Sequence, residues 1–205
     1  MGKKKTPKDI FETQCWLNKV ISDPYQVLAN VFFSSGVQHL RSFVKEIMES
    51  AIDKNIYKTK SPADALLYKR YIASLIKVAN ILKEKKSSEI KINNGDLLDN
   101  RYFACGRLLT DDWSDFPRFL SKKEFCNPYI VFRKFFKSYA LNSWLTALTD
   151  IIDGALCPEE SHLFLNEITI YTKLVKLIEA AHLIDVREVV HVDGLLKGRS
   201  NDINY

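Results

Sequence analysis

Residues 127–156 read NPYIVFRKFFKSYALNSWLTALTDIIDGAL, and the fold turns on how this stretch is read. Asn127-Pro128 has the chemistry of a helix start. An Asn side chain accepts from the free N–H groups of a first turn, and proline suits the first helical position because its missing N–H would be unpaired there anyway. Tyr129, Phe132, Phe136 and Tyr139 then recur at helical spacing on one face. From Leu141 the stripe passes through Trp144, Leu145, Leu148, Ile152 and Ala155. At about 100° per residue, this second stripe is rotated by roughly a third of a turn from the first. The pattern predicts one helix over 128–155, covered by different partners along its length and therefore central to the fold. Trp144 and Leu148 are its predicted core residues.

Composition surrounds this helix with a packed globule. Of the 205 residues 46% are hydrophobic and 12% aromatic, and a chain of this size buries roughly 70% of its unfolded surface. The expectation is a single helical domain over 1–205, with a flexible basic arm at 1–6 and a flexible tail at 194–205. The start, MGKKKTPKDIF, carries charge without the apolar core of a secretory signal. Met1-Gly2-Lys3 also fits a myristoylation pattern, which a start codon before a basic arm produces by chance. No apolar run approaches the length of a membrane span. Cys15, Cys105, Cys126 and Cys157 are scattered, without a CxxC pair, which reads as reduced thiols in a cytoplasmic protein that avoids membranes.

Seven glycines and six prolines leave few places to break a helix, and five of the prolines follow a plausible cap or precede acidic residues. Thr6-Pro7, Asp23-Pro24, Ser61-Pro62, Asn127-Pro128 and Cys157-Pro158 are read as five helix starts. The first helix runs about 7–21. The second begins at Pro24 and reaches about residue 54, ended or kinked at Gly36. A third spans about 62–85, with Tyr68, Ile72, Leu75, Ile76, Ala79 and Leu82 on its apolar face. Residues 96–109 read as helical, a short helix follows Thr110–Asp112, and Ser121 with Glu124 forms a capping box. A long helix over about 158–184 follows the central one. Glu89–Asn93 and Val189–Val192 alternate as strands do, and a minor two-stranded pairing between them fits an otherwise all-α bundle of about seven or eight helices.

Chemistry is sparsely signalled. Glu159 with His162 and Glu179 with His182 are Glu-x-x-His pairs of the kind that bind metals in helical bundles. Both fall on one predicted helix, roughly 30 Å apart at 1.5 Å per residue, and they face nearly opposite sides. They cannot share a site within one chain, so no metal and no cofactor is expected. Asp111, Asp112 and Asp115 read better as acidic residues opposing a helix dipole than as a cation site. GxSxG, P-loop, GxGxxG and HExxH signatures are absent, and Cys157 near His162 lacks a third group to orient a base. A helical ribonuclease of the HEPN type would resemble this small helical chain. Its Arg-to-His spacing is longer than that between Arg187 and His191, which lie in a segment that reads as extended.

Net charge is +5. Lys3, Lys4, Lys5 and Lys8 form a basic arm, and Lys83, Lys85, Lys86 and Lys91 a second cluster, to which Arg70 and Lys77 add on the third helix. These residues are the candidate nucleic-acid contacts, but the runs lack interleaved aromatics and arginines, so binding would be weak and non-specific. The favoured reading is a non-enzymatic cytoplasmic helical protein that binds a protein partner. The basic outer side around Arg133 and Lys137 is the expected partner surface. Nucleic-acid binding, and a hydrolase or nuclease whose site is assembled from distant residues, are the alternatives.

Overall fold

A cap followed by proline starts two helices where the sequence predicts them. Asp23 accepts from Tyr25 N at 2.8 Å ahead of α1, Pro24–Ser34. Ser61 accepts from Asp64 N at 3.2 Å ahead of α3, Pro62–Leu82. Between them lies α2, Val37–Ile52, whose N-cap is Gly36; with Ser35 extended, Gly36 marks a break and not a kink. α2 stops on Lys54, at φ 52°, while Asn55 N donates to Ser50 O at 3.0 Å in a left-handed Schellman ending. The chain continues through α4 (Lys122–Cys126), α5 (Tyr129–Ser138), α6 (Leu141–Leu156) and α7 (Glu167–Glu188). Two 3-10 turns, Asn100–Tyr102 and Asp112–Asp115, precede α4. Near the end, β1 (His191–Val192) and β2 (Leu195–Leu196) pair antiparallel, His191 opposite Leu196. In this computed structural model the described residues are 14–16, 19–85, 90, 92, 97–104, 112–157, 166–192 and 195–196. The architecture is an all-α helical bundle, as expected. No helix among the described residues is long and apolar enough to cross a membrane.

The expected helix over 128–155 is two helices. Tyr139 (φ −145°, ψ 148°) and Ala140 (φ −69°, ψ 166°) are extended between α5 and α6. The break falls where the apolar stripe changes direction. α5 packs on α3 and α7, whereas α6 packs on α2 and α3, so separating the halves lets each aim its own stripe. Trp144 holds the corner. Its ring stacks on Phe135 with centroids 3.9 Å apart, Tyr139 meets it edge-on, and its indole N–H donates to Phe135 O at 3.2 Å. That carbonyl belongs to the last turn of α5, where intrahelical donors run out. Asn127 does not cap α5: it is the C-cap of α4, and Pro128 occupies the N-cap place.

The central element is α7. It packs against α1, α2, α3, α4 and α5, and every residue from Leu177 to Val186 is buried. A helix enclosed on all sides has no solvent stripe over that length. It begins behind Asn166, which accepts from Thr169 N at 3.1 Å. The predicted start at 158 lies outside the described residues.

Three further expectations change. Residues 14–16 and 19–21 are not helical: Gln14 and Val20 form an isolated bridge. α3 takes up this segment's main chain, with Arg70 donating to Trp16 O (2.7 Å), Lys77 donating to Gln14 O (2.9 Å) and Ser74 Oγ accepting from Trp16 N (2.8 Å). Residues 7–13 lie outside the described residues, as do 105–109. Over the described part of the expected 96–109 helix, residues 97–104, the helical part is the single turn Asn100–Tyr102. β1 pairs with β2, where the sequence suggests residues 89–93 as the partner. Of those, 90 and 92 are described, and Ile90 N donates to Cys126 O at 3.2 Å.

Trp144 is 1% exposed and Leu148 3%. Trp144→Ala should therefore cost about 3–5 kcal/mol and Leu148→Ala about 2–5 kcal/mol. Trp144→Phe, which keeps a ring but loses the N–H, should cost less than Trp144→Ala. Urea unfolding midpoints test this, and an unmoved midpoint for Trp144→Ala would refute the corner.

Candidate functional site

Glu124 begins the site. Ser121 Oγ accepts from Glu124 N at 3.3 Å and Glu124 Oε2 accepts from Ser121 N at 3.0 Å, the predicted capping box. The box turns the carboxylate inward, where two lysines meet it. Lys134 Nζ of α5 lies 2.8 Å from Oε1 and Lys176 Nζ of α7 lies 2.8 Å from Oε2. Burial by itself would raise the carboxyl pKa. The hydrogen bonds from Lys134, Lys176 and Ser121 outweigh it and hold the group at about 2.

Beside this triad a cleft of about 340 Å³ opens between α5 and α7. Val131, Phe135 and Ile168 give it apolar walls, Thr169 and Thr172 add hydroxyls, and Lys173 joins Lys134 and Lys176 at its edge. Lys173 Nζ donates to Ser138 Oγ at the end of α5. Three ammonium groups face one buried carboxylate, so the cleft keeps a positive surplus. An apolar hollow of about 230 Å³ continues past Ile168, which is 79% exposed, to Met48, Ile52 and Tyr171. Such a surface suits a ligand with an apolar body and an acidic group.

Two other polar clusters hold the fold. The buried Glu179 carboxylate accepts from Arg41 (3.0 Å), Arg118 N (2.8 Å) and Phe119 N (2.9 Å), and Arg41 also donates to Phe116 O at 2.9 Å and to Ser114 O. At the other end of α7, Glu188 accepts from Tyr129 (2.8 Å) and Lys85 (3.0 Å), while the Tyr25 and Tyr129 hydroxyls lie 3.0 Å apart. Burial, then the bonds to Tyr25 and Glu188, push the Tyr129 phenol far up.

The predicted residues are distributed among these clusters. Arg70 and Lys77 serve the 14–16 segment, and Lys83 donates to Asn80 Oδ1 at 2.9 Å. Lys85 donates to Glu188 and Tyr25, and Arg133 donates to Lys85 O at 3.3 Å. Lys137 is exposed in the last turn of α5. Lys3, Lys4, Lys5, Lys8, Lys86, Lys91, Glu159 and His162 lie outside the described residues. Glu179 and His182 are both buried on α7, but Glu179 serves Arg41 while His182 Nε2 lies 2.8 Å from Phe103 O. Among the described residues, no three of His, Cys, Asp and Glu converge as metal ligands would. Asp115 is buried and accepts from Gln38 at 3.2 Å. Arg187 donates to Tyr102 O at 2.8 Å and to Phe125 O at 2.5 Å, a strut and not an open cation. Burial lowers its pKa to about 10.

Lys134, Lys173 and Lys176 were absent from the predicted surface. The available signal was the capping box: a buried N3 glutamate calls for cations, and Lys134 is the neighbour of Arg133 in sequence. The fold and this cleft describe a helical bundle with a lysine-bordered groove. No protein-family model matches the chain, and no curated protein or solved structure matches it either.

Because the folded pKa of Glu124 lies below its ordinary 4.5, its ionised form stabilises the fold fully above that value. This contribution should fade as pH falls from about 4.5 through about 2. Acid unfolding of Glu124→Gln should show a shallower slope over that window; an identical slope would remove Glu124 from the acid response.

Proposed function

We propose that this is a non-enzymatic helical binding protein whose ligand is an acidic, amphipathic segment of a protein partner, seated in the cleft between α5 and α7. The observation that carries the reading is the lysine border of Lys134, Lys173 and Lys176 around an apolar wall. Apolar contact supplies the driving force for such a segment, and the surplus positive charge selects acidic sequences and speeds encounter. The expected surface at Arg133 and Lys137 moves by a fraction of a turn along the same helix. Arg133 is half-buried and bound to Lys85 O, which makes it a poorer first contact than Lys134, whose side chain is 60% exposed. We infer a cytoplasmic, reducing setting, supported by the free thiols Cys15, Cys126 and Cys157.

The nucleic-acid reading draws less support. Its described members, Arg70, Lys77, Lys83 and Lys85, serve separate parts of the fold, and none of them lines the α5–α7 cleft.

Partner capture from native extract, followed by peptide mapping of what is caught, tests the proposal. Lys134→Glu with Lys173→Glu should abolish capture; because Lys134→Glu also disturbs Glu124, Lys173→Glu alone should weaken capture at an unchanged melting temperature, and the mapped segment should be acidic and apolar. Its affinity should weaken as salt screens the lysines. Capture that survives the double reversal, or that maps to a basic segment, overturns the proposal.

A further inference from the structure

A second cleft, of about 210 Å³, opens on another side of α7 and has a different character. Three cationic residues border it: Arg41 and Lys45 from α2, and Arg118 from the segment before α4. Gln38, Ser42 and Ser114 add polar atoms, and Phe119 and Tyr171 form a wall. The two rings meet edge-to-face with centroids 5.7 Å apart, and Phe119 is 37% exposed.

The cations are not equivalent. Arg41, with a side chain 11% exposed, is fixed by Glu179, Phe116 O and Ser114 O. It is a preorganised positive base whose charge is offset by Glu179. Lys45 makes a 3.8 Å pair with Glu49, both side chains more than half exposed, and such a surface pair yields readily to a better acceptor. The Arg118 backbone N–H anchors the segment on Glu179, which leaves its exposed side chain at the cleft border. A third carboxylate, Asp115, is buried and held by Gln38. With Glu49 counted, three carboxylates balance the three cations, but Glu179 and Asp115 are buried, which leaves Lys45 and the Arg118 side chain as exposed donors at the cleft mouth. A planar guanidinium matches the geometry of an oxyanion.

We propose that this cleft binds a small organic anion. Arg118 and Lys45 hold its oxyanion group, over the fixed charge of Arg41, and its flat apolar body lies against Phe119 and Tyr171. The volume is below the usual ~300–1,000 Å³ of ligand pockets, so the body is a single ring. This site meets the hollow beside the lysine-bordered cleft at Lys45 and Tyr171, but Arg118 lines only this site and Lys173 only the other, so their variants separate the two.

Calorimetric titration of the whole protein with phenyl phosphate, and with inorganic phosphate in parallel, tests the assignment. Phenyl phosphate should bind at one equivalent, about tenfold more tightly than inorganic phosphate, a difference of about 1.4 kcal/mol. Arg118→Ala with Lys45→Ala should weaken it by about tenfold or more at an unchanged melting temperature, and Lys173→Ala should leave it unaltered. The site is overturned if wild-type protein binds neither probe, if the double variant binds equally well, or if Lys173→Ala abolishes binding. Equal affinity for the two probes overturns the aromatic wall and with it the proposed ligand class.

Discussion

The carboxylate of Glu179 is the group on which the packing of this protein depends. It sits in the middle of α7 with its side chain fully buried, and a charge left there without partners would cost several kcal/mol. Its partners come from two other parts of the chain: the Arg41 guanidinium from α2, and the N–H groups of Arg118 and Phe119. Because those groups converge on it, α7 can be covered on that side as well as on its apolar side. The segment over 114–119 is pinned as the cover. Both clefts then take their shape from α7, one between it and α5, the other where α2 and the pinned segment meet it.

The same carboxylate explains what the sequence hid. Glu179 falls beside the apolar stripe of α7, where periodicity reads a carboxylate as solvated, whereas His182 falls on the stripe. Burial is decided by partners, and Arg41 lies 138 positions away in sequence, beyond the reach of any local pattern. By contrast, the starts at Asp23-Pro24 and Ser61-Pro62 and the box at Ser121–Glu124 are local chemistry, and they were legible. The rotated stripe in 127–156 is equally legible, but it fits one helix with two faces as well as it fits two helices. The break at Tyr139-Ala140 satisfies the same pattern with two helices, and Trp144 makes the corner stable. Asn127-Pro128 misled because Asn127 was already ending α4.

Charge shows the same division. Reading lysines and arginines as one basic surface groups residues that the fold separates. Arg70 and Lys77 bind the main chain of the 14–16 segment, Arg187 bridges two carbonyls, and Arg41 neutralises Glu179. Arginine, with its fork of donors, takes most of these internal posts. At the α5–α7 cleft the Lys134 side chain stays 60% exposed, against 11% for Arg41. Which cations face outward is therefore a property of the packing and not of their number.

The order in which the chain is made adds a consequence of the enclosed α7. That helix is built from residues 167–188, whereas α1 to α3, which pack on it, are complete by residue 82. At a synthesis rate of about 5–20 residues per second, roughly 5–20 s pass before their partner follows them from the ribosome. During that interval the faces of α1, α2 and α3 destined for α7 have nothing of this chain to cover them. Final packing is thus a late event, and the nascent protein spends that interval as a natural client for chaperones that shield apolar surface.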